Sequence, residues 1–159
     1  MASLNDAETM MITACDWLAS QQAEMIECLK TLVDIDSNSY DKAGTDAVAD
    51  VIVEWLEADG IDVTRTPRPE SGDILEARLE GDGSDASAGH VLMMGHRDTV
   101  LPTGTVAERG FPREGDTAFG PGVADMKAGL VMNVFVLRAL KRLAPLPFPA
   151  RAQIGRAHV

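Results

Sequence analysis

Basic residues are scarce in this sequence: 14 lysines and arginines stand against 25 aspartates and glutamates, for a formal net charge of −11. Nucleic-acid binding and adhesion to an anionic membrane both draw on clustered Lys and Arg, so the composition argues against either partner. The acidic excess reads first as solubility. Long apolar runs are missing as well. None approaches the roughly 20 residues that a membrane-spanning helix needs. The stretch from Met1 to Asp16 carries Asp6, Glu8 and Asp16 and no basic residue, whereas a secretory signal starts positive. A cytoplasmic setting is expected. The only two cysteines, Cys15 and Cys28, fall in a helical pattern, which suggests buried thiols rather than a disulfide or a thiolate metal site. Three motifs are also absent. There is no Gly-x-Ser-x-Gly nucleophile elbow and no Gly-Lys-Ser/Thr phosphate loop, and Gly120-x-Gly122 lacks the third glycine of a dinucleotide fingerprint.

What remains is a chain of 159 residues, the size of one domain, with enough apolar residues (45%) to bury a core. Trp17, Leu18, Met25, Ile26, Leu29, Leu32 and Val33 recur at helical spacing and predict a helix over about Asp6 to Asp36, stopped by Asp36-Ser37-Asn38-Ser39. A second helix is predicted over Lys42 to Asp59, with Val48, Val51, Ile52, Trp55 and Leu56 as its apolar stripe and Gly60 as a left-handed cap. Ile61–Thr66 and Ile74–Glu80 alternate like strands. Gly81–Gly89 is a small, polar loop. His90–Gly95 is a continuous apolar run that suits a strand buried on both faces; His90 itself reads as a surface or edge residue. Residues 101–124 are long, irregular and rich in Gly and Pro, as functional loops are. Met126–Leu143 predicts a last helix, broken by Pro145, Pro147 and Pro149. The order indicates an α/β fold, with helices packed on a mixed, mostly parallel sheet.

Phe148–Ile154 looks like the approach to a further strand. The last six residues, Ile154–Val159, have the sequence that one frame of a DNA-sequencing adapter encodes. We therefore divide the chain into 1–153, part of a catalytic domain whose sheet is not complete, and 154–159, a non-native tail whose His158 carries no functional argument.

Two motifs can carry chemistry. In Gly95-His96-Arg97-Asp98-Thr99-Val100 the histidine sits at the carboxyl end of the apolar strand, where open α/β sheets bind ligands. A neutral imidazole there is a good zinc ligand. Asp98, two residues on in extended backbone, points the same way and can accept the other imidazole N–H. In Gly120-Pro121-Gly122-Val123-Ala124-Asp125-Met126-Lys127-Ala128-Gly129 the glycines permit close approach, and Asp125 closes the loop at a helix start. A carboxylate so placed can offer one oxygen to each of two metals. Each motif alone also has a local reading: a chance His-x-Asp hydrogen bond, and an Asp N-cap. Their order, with Asp125 following His96 by 29 residues, is more specific than either.

Together these motifs resemble the dinuclear zinc aminoacylase and glutamate carboxypeptidase family. The resemblance runs from about Met25 to Leu143 and includes Leu32-Val33-Asp34-Ile35-Asp36-Ser37 at the first helix exit; the Gly115–Gly122 stretch is similar to the glutamate carboxypeptidase branch. It implies that His96 binds one zinc, that Asp125 bridges two, that Asp98 is the catalytic-site carboxylate orienting His96, and that the Asp125–Met126 peptide is cis. It further implies amide hydrolysis of a small peptide or N-acyl amino acid by a homodimer. The family's Glu-Glu pair, a further acidic ligand, a distant His and the dimerisation domain have no counterpart after Leu143. The chain by itself is therefore expected to be inactive, to bind metal weakly and to expose an apolar face. The alternative expectation is a non-catalytic α/β binding or interaction module, folded without metal and indifferent to His96 and Asp125.

Overall fold

The structure is a computed structural model that describes residues 4–82, 89–143, 146 and 148–157. Most of the Gly81–Gly89 loop, Pro145, Pro147 and His158 lie outside the described residues.

The first predicted helix is two: α1 (Leu4–Ser20) and α2 (Gln22–Val33). The break follows from local chemistry. The Ser20 hydroxyl donates to the Trp17 carbonyl at 2.6 Å, and the Gln21 N–H turns back to the Leu18 carbonyl at 3.0 Å, tightening the last turn and ending α1. Cys28, Leu32 and Val33 are the buried stripe of α2. Cys15 is exposed on α1, contrary to expectation, because the inward side of that helix is taken by Trp17 and Leu18; Cys28 is buried, and desolvation pushes its thiol pKa up. Helix α3 (Lys42–Ala58) starts where Asp41 accepts the Gly44 N–H at 3.1 Å, an N-cap bond. Thr45, Val48, Ala49, Ile52 and Leu56, three or four residues apart, are its buried face. Gly60 follows with φ +66°, the expected left-handed cap.

Strands β1 (Asp62–Thr66), β2 (Ile74–Leu79), β3 (Val91–His96) and β6 (Ala150–Gly155) form a sheet of order β1-β2-β6-β3. Helices and a mixed sheet give the expected α/β class. The expected parallel majority is not found among the described residues: β1–β2 and β2–β6 are antiparallel, and only β3–β6 is parallel. The link from β1 to β2 is too short for a crossover, whereas β3 reaches β6 through a long connection containing a helix. Strand β3 is likewise not buried on both faces. Among the described residues it pairs with β6 alone, at the end of the sheet order, and Val91, Leu92 and Met94 are exposed.

Residues 101–124 are less irregular than their composition suggests. They hold the short helix α4 (Thr105–Arg109) and a hairpin of β4 (Arg113–Glu114) and β5 (Thr117–Ala118) that turns at Gly115, where φ is +59°. The last helix, α5, spans Ala128–Arg142, later than predicted. Before it, Val123–Lys127 forms a wide turn closed by the Lys127 N–H on the Gly122 carbonyl at 2.9 Å. Asp125 is extended in this turn (φ −131°, ψ 92°), and the Asp125–Met126 peptide is cis, as the resemblance implied.

Alternate residues Leu75, Ala77 and Leu79 of β2 and Ala150, Ala152 and Ile154 of β6 are buried, which defines one covered face. Leu32, Ile52, Leu56, Leu130, Phe135 and Leu137 from α2, α3 and α5 join them in one core. The boundary drawn at Gln153 falls inside β6: Ile154 is buried opposite Leu75, and Gly155 pairs with His96. Among the described residues no helix is long and apolar enough to cross a membrane.

If β6 closes the core in solution, Ile154→Ala costs about 2–5 kcal/mol in urea unfolding. An unchanged midpoint would remove Ile154 from the core.

Candidate metal centre

The site begins where β3 ends. The backbone stays extended past His96: the Arg97 N–H donates to the Gly155 carbonyl at 3.2 Å, and the Thr99 N–H to the Ser37 carbonyl at 2.7 Å. In extended chain His96 and Asp98 fall on one side and Arg97 on the other. His96 and Asp98 line an open cleft of about 360 Å3 together with Ser39, Thr99, Gly122 and Asp125. Arg97 turns into the protein and is fully buried.

Across the cleft, Asp125 is carried by the turn before α5. Two glycines make that turn possible. Gly122 has φ +71°, and a Cβ there would stand 2.6 Å from the Thr99 methyl. Gly120 has φ +147°, and its Cβ would meet the Val33 side chain at 2.5 Å. Neither position tolerates a side chain without moving the loop.

The three predicted residues come together. His96 Nε2 lies 2.9 Å from Asp125 Oδ1. His96 Nδ1 lies 3.0 Å from the backbone carbonyl of Asp98 and 3.4 Å from its carboxylate Oδ1. The expected carboxylate–imidazole contact is thus the longer of two, and the carbonyl is the nearer acceptor. A carbonyl can only accept, so Nδ1 carries a proton, and Nε2 faces the Asp125 carboxylate. Two electron-rich atoms this close require a positive centre between them, either a proton or a metal ion. The donor set, one imidazole nitrogen and one carboxylate oxygen, fits zinc. It is not a full set: among the described residues no three or more His, Cys, Asp and Glu side chains are placed to hold one metal ion together, and zinc takes about four ligands. A larger cleft of about 610 Å3, lined by Arg68, Met94, Gln153 and Arg156, has no imidazole or carboxylate in its wall.

Several supporting residues escaped the sequence reading. The buried Ser39 hydroxyl donates to Asp98 Oδ2, and the Ala157 N–H donates to Asp98 Oδ1 at 2.8 Å. Asp36 accepts the N–H groups of Gly104 and Val106 at 2.7 and 3.2 Å. The buried Lys127 donates to the Ile35 carbonyl at 2.7 Å; burial lowers its pKa to about 8, against the pull of Asp36 and Asp34. Residues 35–39, legible in the sequence only as a helix stop, therefore tie down both site loops. The bonds join residues 59 to 92 positions apart, and no local pattern encodes them.

Behind the site lies an ionic cluster. Asp73 accepts Lys42 Nζ at 2.6 Å, Arg65 Nε at 2.7 Å and the Arg68 N–H at 3.0 Å. Asp46 accepts Lys42 Nζ and the Asp73 N–H at 2.7 and 2.8 Å. The hydrogen bonds from Lys42, the Arg68 backbone and Arg65 hold the Asp73 carboxyl well below the usual carboxylate range.

No family profile matches the chain. Among characterised proteins, it is 34% identical over 125 residues to carboxypeptidase G2 of Pseudomonas sp. (strain RS-16), an alignment covering 77% of this chain and 28% of that protein. The chain thus spans less than a third of that relative. Human carnosine dipeptidase 1 superposes with a TM-score of 0.73 at 19% identity, over 92% of this chain and 34% of that one. An M20 family metallo-carboxypeptidase from Sulfolobus solfataricus gives 0.67 at 18% identity, over 82% and 30%. These two solved structures show the fold.

The Asp73 pKa is depressed in the folded state, so its ion pairs stabilise the fold above the unfolded carboxylate pKa of about 3.9, and that contribution is lost as pH falls below it. Unfolding free energy should therefore drop on acidification below about pH 4, and less steeply in Asp73→Asn, which is already weakened at pH 7. Parallel acid limbs would show that Asp73 is uncoupled from folding.

Proposed function

We propose that this chain is a segment of a metallopeptidase of the M20 family, and that the complete protein hydrolyses the amide bond of a small peptide or N-acyl amino acid bearing a free carboxylate, in the manner of a glutamate carboxypeptidase. The observation that carries the reading is the meeting of His96 Nε2 and Asp125 Oδ1 at 2.9 Å, at a strand's carboxyl end and in an open cleft. The names of the relatives, a carboxypeptidase and a dipeptidase among them, support the substrate class.

In this reading His96, through Nε2, and the largely exposed Asp125 carboxylate would hold zinc. When bound, the metal would supply Lewis-acid polarisation of a carbonyl and a more acidic water. The chain's own residues set the geometry. The Asp98 carbonyl fixes the His96 tautomer, and the Asp98 carboxylate, held by the Ser39 hydroxyl, supplies negative charge beside the imidazole. A glutamate would serve as the general base, and among the described residues none lines this cleft. A homodimer and a cytoplasmic setting belong to the same proposal; the unpaired thiols of Cys15 and Cys28 suit a reducing compartment.

Chelation should abolish hydrolysis of N-acyl glutamate by the complete protein, and zinc should restore it. His96→Ala and Asp125→Ala should fall to background, and Asp98→Asn should bind zinc roughly 10- to 100-fold more weakly. Activity that survives chelation, or that ignores Asp125→Ala, refutes the reading. The 159-residue chain alone should turn over no substrate; measurable turnover would show that two ligands suffice.

A further inference from the structure

Arg97 stands between His96 and Asp98 and takes no part in the cleft. Its side chain is among the most deeply buried in the protein, at 1% exposure. A buried guanidinium is costly unless its donors are satisfied. Here they are spent mostly on main chain. Nε donates to the Thr45 carbonyl at 2.7 Å, Nη1 to the Ile154 carbonyl at 3.2 Å and Nη2 to the Asp73 carbonyl, with Asp46 Oδ1 also 3.4 Å from Nη2. Those carbonyls belong to three elements: the first turn of α3, the residue before β2, and β6. The pocket is closely fitted. A Cβ on Gly72 would stand 2.7 Å from Nη2 and 2.5 Å from Thr45 Oγ1.

The position matters because β3 is an edge strand with hydrogen bonds to β6 only. The ladder ends at the Arg97 N–H on Gly155. Beyond it the backbone is next held at Thr99, whose N–H donates to the Ser37 carbonyl at 2.7 Å and whose carbonyl accepts the Ser39 N–H at 2.9 Å, in a bridge with Asn38. Between that bridge and the β6 ladder, a rigid fork of donors fixes residue 97 on the first turn of α3, the residue before β2, and β6 together. We propose that Arg97 is a positioning residue: its buried guanidinium, fixed on the carbonyls of Thr45, Asp73 and Ile154, holds the strand end that aims His96 and Asp98 into the cleft. The inference rests on the metal-centre reading only for what His96 is aimed at. The ordering of the imidazole follows from the anchor whether or not metal is present.

The test is NMR on the metal-free 159-residue chain, reading the His96 χ1 couplings. The native chain should show one His96 rotamer. Arg97→Met, close in length but without donors, should average it. Arg97→Lys should recover part of the order, because an ammonium still reaches carbonyls. Gly72→Ala leaves residue 97 intact and displaces the guanidinium, so it decides the matter if Arg97→Met does not fold; it too should average His96. Ile52→Val, a core change away from the loop, should leave the rotamer single, which separates positioning from general loss of stability. A single His96 rotamer in folded Arg97→Met or in Gly72→Ala overturns the proposal. A zinc titration of the same proteins tests the other reading. Affinity that falls roughly 10- to 100-fold in Arg97→Met fits a supporting role behind a ligand. Native zinc affinity indifferent to His96→Ala and Asp125→Ala would defeat the metal centre while leaving the rotamer result to decide on Arg97.

Discussion

The parallel pairing of β3 with β6 decides where everything else can go. β6 is the last strand in sequence and lies between β2 and β3 in space. Its alternation places Ala150, Ala152 and Ile154 under α5, and the same register sets His96 opposite Gly155 at the sheet's edge. The imidazole therefore emerges at the carboxyl end of a strand, beside the turn that carries Asp125. Without this pairing β3 would have no partner among the described residues, and the cleft would lose one wall.

The second organising feature is the division of labour within three consecutive residues. His96 and Asp98 face the cleft, while Arg97 reaches through the protein in the opposite direction. Extended backbone makes that division automatic. Polar chemistry then accumulates on both sides. Toward the cleft, Ser39 and the Ala157 N–H hold Asp98. Away from it, Arg97 abuts the cluster of Lys42, Asp46, Arg65 and Asp73. A polar interior of this kind is tolerable because nearly every donor in it has an acceptor. Ser37 Oγ and Arg156 Nε are the buried side-chain atoms lacking a partner among the described residues.

Much of the architecture was legible because it is written in short-range pattern. The stripe of α3, its Gly60 cap and the alternation of β1 and β2 are local statements about which face meets the core. His96, Asp98 and Asp125 were legible for another reason: their residue types, spacing and flanking glycines are together uncommon. The errors fall where local pattern carries no information. Apolar runs report affinity for a core and not the number of neighbouring strands, so β3 read as central although it lies at an edge. The periodicity through α1 and α2 survives a one-residue break, so two helices read as one. Ser39, Asp36, Lys127 and Arg97 act through partners far away in sequence, and isolated polar residues give no sign of which distant carbonyl they will meet.

The gap in sequence between β3 and β6 also sets a schedule. On a ribosome adding about 5–20 residues per second, β3 would be finished roughly 3–12 s before β6 is made. Throughout that interval the strand ending in His96 lacks the neighbour that β6 later provides. Exposed edges of this kind invite pairing with other chains. A translational pause between Gly95 and Ala150 would lengthen that exposure.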